Sequence, residues 1–200
     1  MKRIPFEYAV LAISVGVTFA VATPARAQTS AVADSKRIET SAEKLARGKY
    51  LVTVAGCNDC HTPWVMGPKG PEPDMSRMLS GHPENEKLPP PPAPQGPWLM
   101  AAAATNTAHS GPWGISYTAN LTPDPETGLG KWTQRNFTET IRTGRHMGRG
   151  RQILPPMPIP MYKHFTDADL EAIFSYLQTI PAVKNRVPEP LPATLPVASK

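Results

Sequence analysis

Cysteine occurs twice in 200 residues, and both copies fall within one five-residue run, Cys57-Asn58-Asp59-Cys60-His61. C-x-x-C-H is the attachment signature of c-type haem. Two thiols three positions apart can form thioethers with the two vinyl groups of a porphyrin, and the histidine after the second is then held beneath the iron as proximal ligand. Three other readings use the same residues. A redox dithiol shares the C-x-x-C spacing but expects a βαβ context, which is missing here. A Cys57–Cys60 disulfide would close too short a loop to stabilise much. A zinc site would need two histidines at His-x₃₋₅-His spacing, and none follows. The haem reading outweighs these.

Whatever holds the motif must be built from an unusual composition. Proline is 25 of 200 residues, so much of the chain runs as loop, turn or polyproline II. Aromatic residues are 7%, which leaves few large anchors for an all-protein core. The 40% hydrophobic and 18% charged fractions suit a globular chain, and a formal charge of +5 is mild, which makes nucleic acid an unfavoured partner. Two cysteines exclude a multi-bridge disulfide scaffold.

Residues 1–27 read as an export signal: Lys2 and Arg3 precede an apolar run, and Ala25-Arg26-Ala27 supplies the small-x-small pattern cleaved after Ala27. The run is short for a membrane span, which needs about 20 apolar residues. Residues 28–40 form a small, polar, flexible lead-in, 41–185 the main domain, and 186–200 a proline-rich tail. The expected elements are helical. Ala42 to Gly56 places Leu45, Tyr50, Leu51 and Val54 roughly on one stripe, with Ser41 as cap. Thr133 caps a short helix carrying Trp132, Phe137 and Ile141 and ending at Gly144. Thr166 and Asp169 start a closing helix with Leu170, Ile173, Phe174, Leu177 and Ile180 at helical spacing, stopped by Pro181. Between the first two helices, residues 63–112 carry 12 prolines in 50 positions together with Trp64, Met66, Met78 and Trp98. That stretch reads as an ordered wrap rather than a helix or central strand, with 83–97 its most exposed part. No strand pattern stands out. The expected class is all-α with long loops.

The chain resembles the class I c-type cytochromes, specifically exported single-haem ones related to cytochrome subunits of periplasmic dehydrogenases. The resemblance rests on Arg47-Gly48-Lys49-Tyr50-Leu51 before the cysteine motif, then Asn120-Leu121-Thr122-Pro123-Asp124, Glu126-Thr127-Gly128, Trp132, Arg142-Thr143-Gly144 and Pro155-Pro156-Met157-Pro158. It covers roughly residues 42–183, with the 63–112 insertion a departure. It implies a class I cytochrome c fold, with three or more helices around one covalent haem c. It also implies that the first and last helices cross at a small residue, Gly48 against Phe174 or Tyr176.

The resemblance further implies a distal methionine in the loop before the closing helix. Met147, Met157 and Met161 lie there, and the prolines flanking Met157 hold its sulfur stiffly. Met157 is the expected ligand, with Met161, Met147 and His146 as alternatives. His82, His109 and His164 are expected at the surface or in hydrogen bonds. Arg142, Arg145, Arg149 and Arg151 form a basic run that suits a solvated loop, haem propionates or an acidic redox partner. The implied function is electron transfer in the periplasm between redox partner proteins (a dehydrogenase, an oxidase or another cytochrome), without substrate chemistry and without a membrane span once the signal is cleaved. A haem enzyme or sensor with an open distal site is the alternative.

Overall fold

The computed structural model describes residues 39–92 and 97–193. The expected signal at 1–27, the lead-in up to residue 38 and the tail from residue 194 lie outside the described residues. Among those described, the chain runs through α1 (Ser41–Val54), α2 (Cys57–His61), β1 (Trp64–Gly67), β2 (Gly70–Pro73), β3 (Ala101–Ala102), β4 (Ala108–Gly111), β5 (Gly114–Tyr117), α3 (Gln134–Thr143), α4 (Ile159–Tyr162) and α5 (Asp167–Leu177).

The long helices begin at local caps, although α1 starts one residue earlier than expected: Thr40 is its cap and Ser41 its first residue. Thr40, Thr133 and Thr166 each accept a hydrogen bond from the backbone amide three residues on, and Glu43, Asn136 and Asp169 each reach back to the cap amide. Each pair satisfies amides that would otherwise be orphaned at a helix start. Gly144 closes α3 in the left-handed conformation, at φ 66°.

The buried face of α1 differs from the expected stripe. Tyr50 and Val54 are exposed, while Gly48 and Val52 are buried. The cause is the crossing with α5. A Cβ on Gly48 would stand 2.0 Å from the Ala172 carbonyl oxygen and 2.8 Å from the Tyr176 Cβ, so the helices approach to backbone contact. Tyr176 is thus one neighbour, as expected, and the second is the Ala172 backbone rather than Phe174. Arg47 fixes the register by donating from Nε to Asp169 Oδ1 at 2.9 Å, and Lys44 pairs with Glu171. Behind the crossing, Val52, Phe137, Ile141, Leu170, Ile173, Phe174 and Leu177 join in one buried cluster. Complete burial of side chains such as Leu170 and Leu177 stabilises by roughly 1.5–3 kcal/mol each.

The all-α expectation is overturned by two small antiparallel sheets, β1–β2 and β3–β4–β5. Their strands are two to four residues long and composed largely of Gly, Ala, Pro and Ser, too short and too weakly patterned to give an alternation signal. Proline is accommodated as a donor-less residue must be. Pro71 and Pro73 sit on β2, an edge strand by necessity in a two-stranded sheet, while β4, the central strand, has none. The outer edge of β5 is covered by Leu191, whose amide and carbonyl both bond Ile115 at 2.9 Å.

Candidate functional site

The Cys57–His61 motif forms its own helical turn, α2, immediately after α1. Both non-ligand residues of the motif are tied to the insertion. The Asp59 carbonyl accepts from Trp64 Nε1 at 2.9 Å and from Asn106 Nδ2 at 2.7 Å. Asn58 Oδ1 accepts from the Thr62 hydroxyl, which in turn accepts from the Leu79 amide, both at 2.9 Å. Tyr162 on α4 donates its hydroxyl to the Ala55 carbonyl, closing the other side. The proline-rich insertion therefore frames the motif.

Cys57 and Cys60 are free, partly buried thiols on one helical turn. Burial pushes the Cys57 thiol up to about 11 and raises Cys60 as well, the opposite of the depressed pKa that a redox dithiol uses. His61 is buried at 8% exposure. Its Nδ1 stands 2.8 Å from the Ala119 carbonyl oxygen, which can only accept, so Nδ1 carries the proton. Burial lowers the imidazole pKa; the hydrogen bond to Ala119 opposes this, and the nearby His109 adds a smaller lowering effect. Burial thus favours the neutral ring, in which Nε2 carries the lone pair. That is the protonation state and tautomer a metal-ligating histidine requires.

Met157 is half-buried and packs against the buried cluster that Cys57 also touches. Met161, four residues on, is 70% exposed, and Met147 is also exposed. Among the described residues, no group of three His, Cys, Asp or Glu side chains is placed to hold a metal ion as a cluster. The donor types fit a covalently attached haem: two free thiols on one turn, a buried imidazole whose Nδ1 is committed to a carbonyl, a thioether, and a buried apolar cluster that Cys57 and Met157 each touch.

The basic run is largely engaged. Arg142 pairs with Asp167 at 2.6 Å, Arg145 donates to the Gly150 carbonyl, and Arg151 lies 3.3 Å from Glu189. His82 and His109 are not at the surface: they are buried at 0% and 2% exposure, and His82 Nδ1 bonds the Thr107 hydroxyl. Sequence reasoning did not find the Ala119 carbonyl, because a backbone acceptor 58 residues from His61 leaves no side-chain signal.

No protein-family model matches the chain. It is 29% identical over 84% of its length to a subunit of the nicotinate dehydrogenase of Pseudomonas putida. It is 27% identical over 73% of its length to the fructose dehydrogenase cytochrome subunit of Gluconobacter japonicus. A dihaem c-type cytochrome of Cereibacter sphaeroides is 24% identical over 73% of the chain. The chain spans 11%, 24% and 51% of these relatives, respectively. Together they support a cytochrome c-type family at low identity.

Proposed function

We propose that this chain is an electron-transfer protein carrying one covalently bound haem c, working with a dehydrogenase outside the cytoplasm. The observation that carries the reading is the local geometry of α2: two free thiols on a single turn, followed by a buried histidine whose Nδ1 proton is committed to a backbone carbonyl. A haem bound here supplies a one-electron Fe(III)/Fe(II) couple. Cys57 and Cys60 would tether it through thioethers, His61 Nε2 would be the proximal ligand and Met157 the distal one.

Each of these side chains has a defined part. His61 is held neutral by burial and oriented by Ala119, so its lone pair is available without first losing a proton. Met157 would supply a soft thioether donor alongside the imidazole of His61, a ligand pair that would favour the reduced state and leave no open position for small exogenous ligands. The apolar cluster that Cys57 and Met157 touch would help keep water from a bound haem, which would limit reorganisation on electron transfer. The single C-x-x-C-H in the sequence supports a count of one haem, although a dihaem protein is among its relatives.

The dehydrogenase partner is supported by the relatives, cytochrome subunits of fructose and quinone-type alcohol dehydrogenases among them. An extracytoplasmic location is supported by the leader pattern at 1–27. Among the described residues no helix is long and apolar enough to cross a membrane. The test is carbon monoxide added to the reduced protein. A methionine-closed centre should leave the optical spectrum nearly unchanged at micromolar gas, and rapid formation of a carbonyl complex would favour an open-site haem enzyme or sensor.

A further inference from the structure

The three-residue stretch Ser80-Gly81-His82 touches His61 in two ways at once. The Gly81 amide donates to the His61 carbonyl at 2.8 Å. Gly81 also lies close against the backbone at Thr118 and Ala119: a Cβ there would stand 2.5 Å from the Thr118 oxygen, 2.6 Å from the Ala119 carbonyl carbon and 2.8 Å from the Ala119 oxygen, and its φ is +78°. The Ala119 oxygen is the acceptor for His61 Nδ1. One glycine therefore grips both the backbone of His61 and the peptide that orients its ring. The neighbouring His82 amide donates to the Thr118 carbonyl at 3.0 Å and completes the contact.

This stretch is itself held from the far end of the chain. Asn185, buried at 8% exposure, donates from Nδ2 to the Ser80 carbonyl at 2.7 Å and to the His82 carbonyl at 2.9 Å, the two carbonyls flanking Gly81. Its Oδ1 accepts from the Glu84 amide at 2.9 Å, and its own amide donates to the Thr127 hydroxyl at 3.0 Å. The side-chain amide is thus fully engaged on one short loop, the arrangement expected of a clamp.

We propose that Asn185 and Gly81 are positioning residues for His61, so that the segment after α5 sets the strength of the Nδ1–H···O=C bond and, through it, the reduction potential. The inference rests on the haem reading above. A firm Nδ1 bond gives the imidazole more anionic character and stabilises ferric iron, so loosening it raises the potential. An exposed surface asparagine capping a tail would have no such effect.

The experiment uses the haem-loaded protein with Asn185→Asp, which removes both donors while keeping an acceptor for Glu84, alongside Gly81→Ala. Thr40→Ala is the control, destabilising α1 through its cap at the opposite end of the helix from the motif. At fixed ambient potential, both loop variants should shift the ferrous-to-ferric ratio upward by about threefold or more, and His61 Nδ1–H should exchange with solvent about tenfold faster. Thr40→Ala should lower the unfolding midpoint and move neither. Loop variants that lose stability with an unchanged potential and unchanged exchange would overturn the proposal.

If neither loop variant matures, the unsubstituted protein still decides. The Gly81 amide and His61 Nδ1–H should then show the same protection, and a Nδ1–H that exchanges many-fold faster overturns the clamp. An unsubstituted protein lacking a His-ligated haem spectrum would instead remove the underlying reading.

Discussion

Gly48→Ala places one methyl group in the α1–α5 crossing. Helix propensity alone favours the change by about 1 kcal/mol, since glycine is the poorest non-proline helix residue. The structure opposes it more strongly. The new Cβ would sit 2.0 Å from the Ala172 oxygen, 2.7 Å from its carbonyl carbon and 2.8 Å from Tyr176 Cβ. Two of those atoms are helix backbone and cannot rotate away, so α5 must retreat until the 2.0 Å approach reaches the 3.4 Å of ordinary contact. Even a gap of about 1 Å forfeits up to about half of the dispersion well for pairs across the interface, and overpacking typically costs about 1–3 kcal/mol. It also stretches the Arg47–Asp169 bridge. Net destabilisation should be about 2 kcal/mol, which for a chain of this size lowers the thermal midpoint by roughly 4–8 °C. Circular dichroism melts of the paired proteins measure it. A variant that melts at or above the parent temperature would show that propensity dominates and that the crossing is looser than described.

Two further predictions rest on single side chains. Burial pushes the Asp169 carboxyl up, but hydrogen bonds from Thr166 and Arg47 outweigh this and hold its pKa below the ordinary carboxylate value. Its stabilisation is therefore present above about pH 4 and is lost as pH falls through the depressed folded value. Asp169→Ala should cost about 1–2 kcal/mol at pH 7, with the difference from the parent closing in acid, as read from denaturant midpoints across pH. A difference that stays constant below pH 3 would contradict it. Met157→Ala should abolish the ferric sulfur-to-iron charge-transfer band, lower the potential and admit carbon monoxide on reduction, whereas Met161→Ala, at an exposed position, should leave all three unchanged. Reversal of those spectra would move the distal ligand to Met161.

The parts legible in the sequence are those specified locally. The Thr166–Asp169 box and the Thr133 and Gly144 boundaries are short-range hydrogen-bond patterns, and they appear as expected. The C-x-x-C-H turn is likewise local. What escaped detection depends on distant backbone. The face of α1 is chosen by a carbonyl on α5, so of the stripe Leu45, Tyr50, Leu51 and Val54, Leu51 packs on the core while Tyr50 and Val54 are exposed. The two sheets escaped because strands such as Ala101–Ala102 and Gly70–Pro73 have no β-branched residue to mark them. Asn185 sits in a stretch that read only as the end of the domain, yet its amide bonds a loop more than 100 residues away.

The central claim is covalent haem at Cys57 and Cys60, and the most direct measurement is the mass of the mature, fully denatured protein taken together with its alkaline pyridine spectrum. One haem should remain on each polypeptide after acid-solvent extraction, with a spectrum indicating two saturated vinyl groups and no thiol left to alkylate. Replacing either cysteine with alanine should leave at most one link. A denatured polypeptide free of haem, with both thiols reactive, would contradict the account.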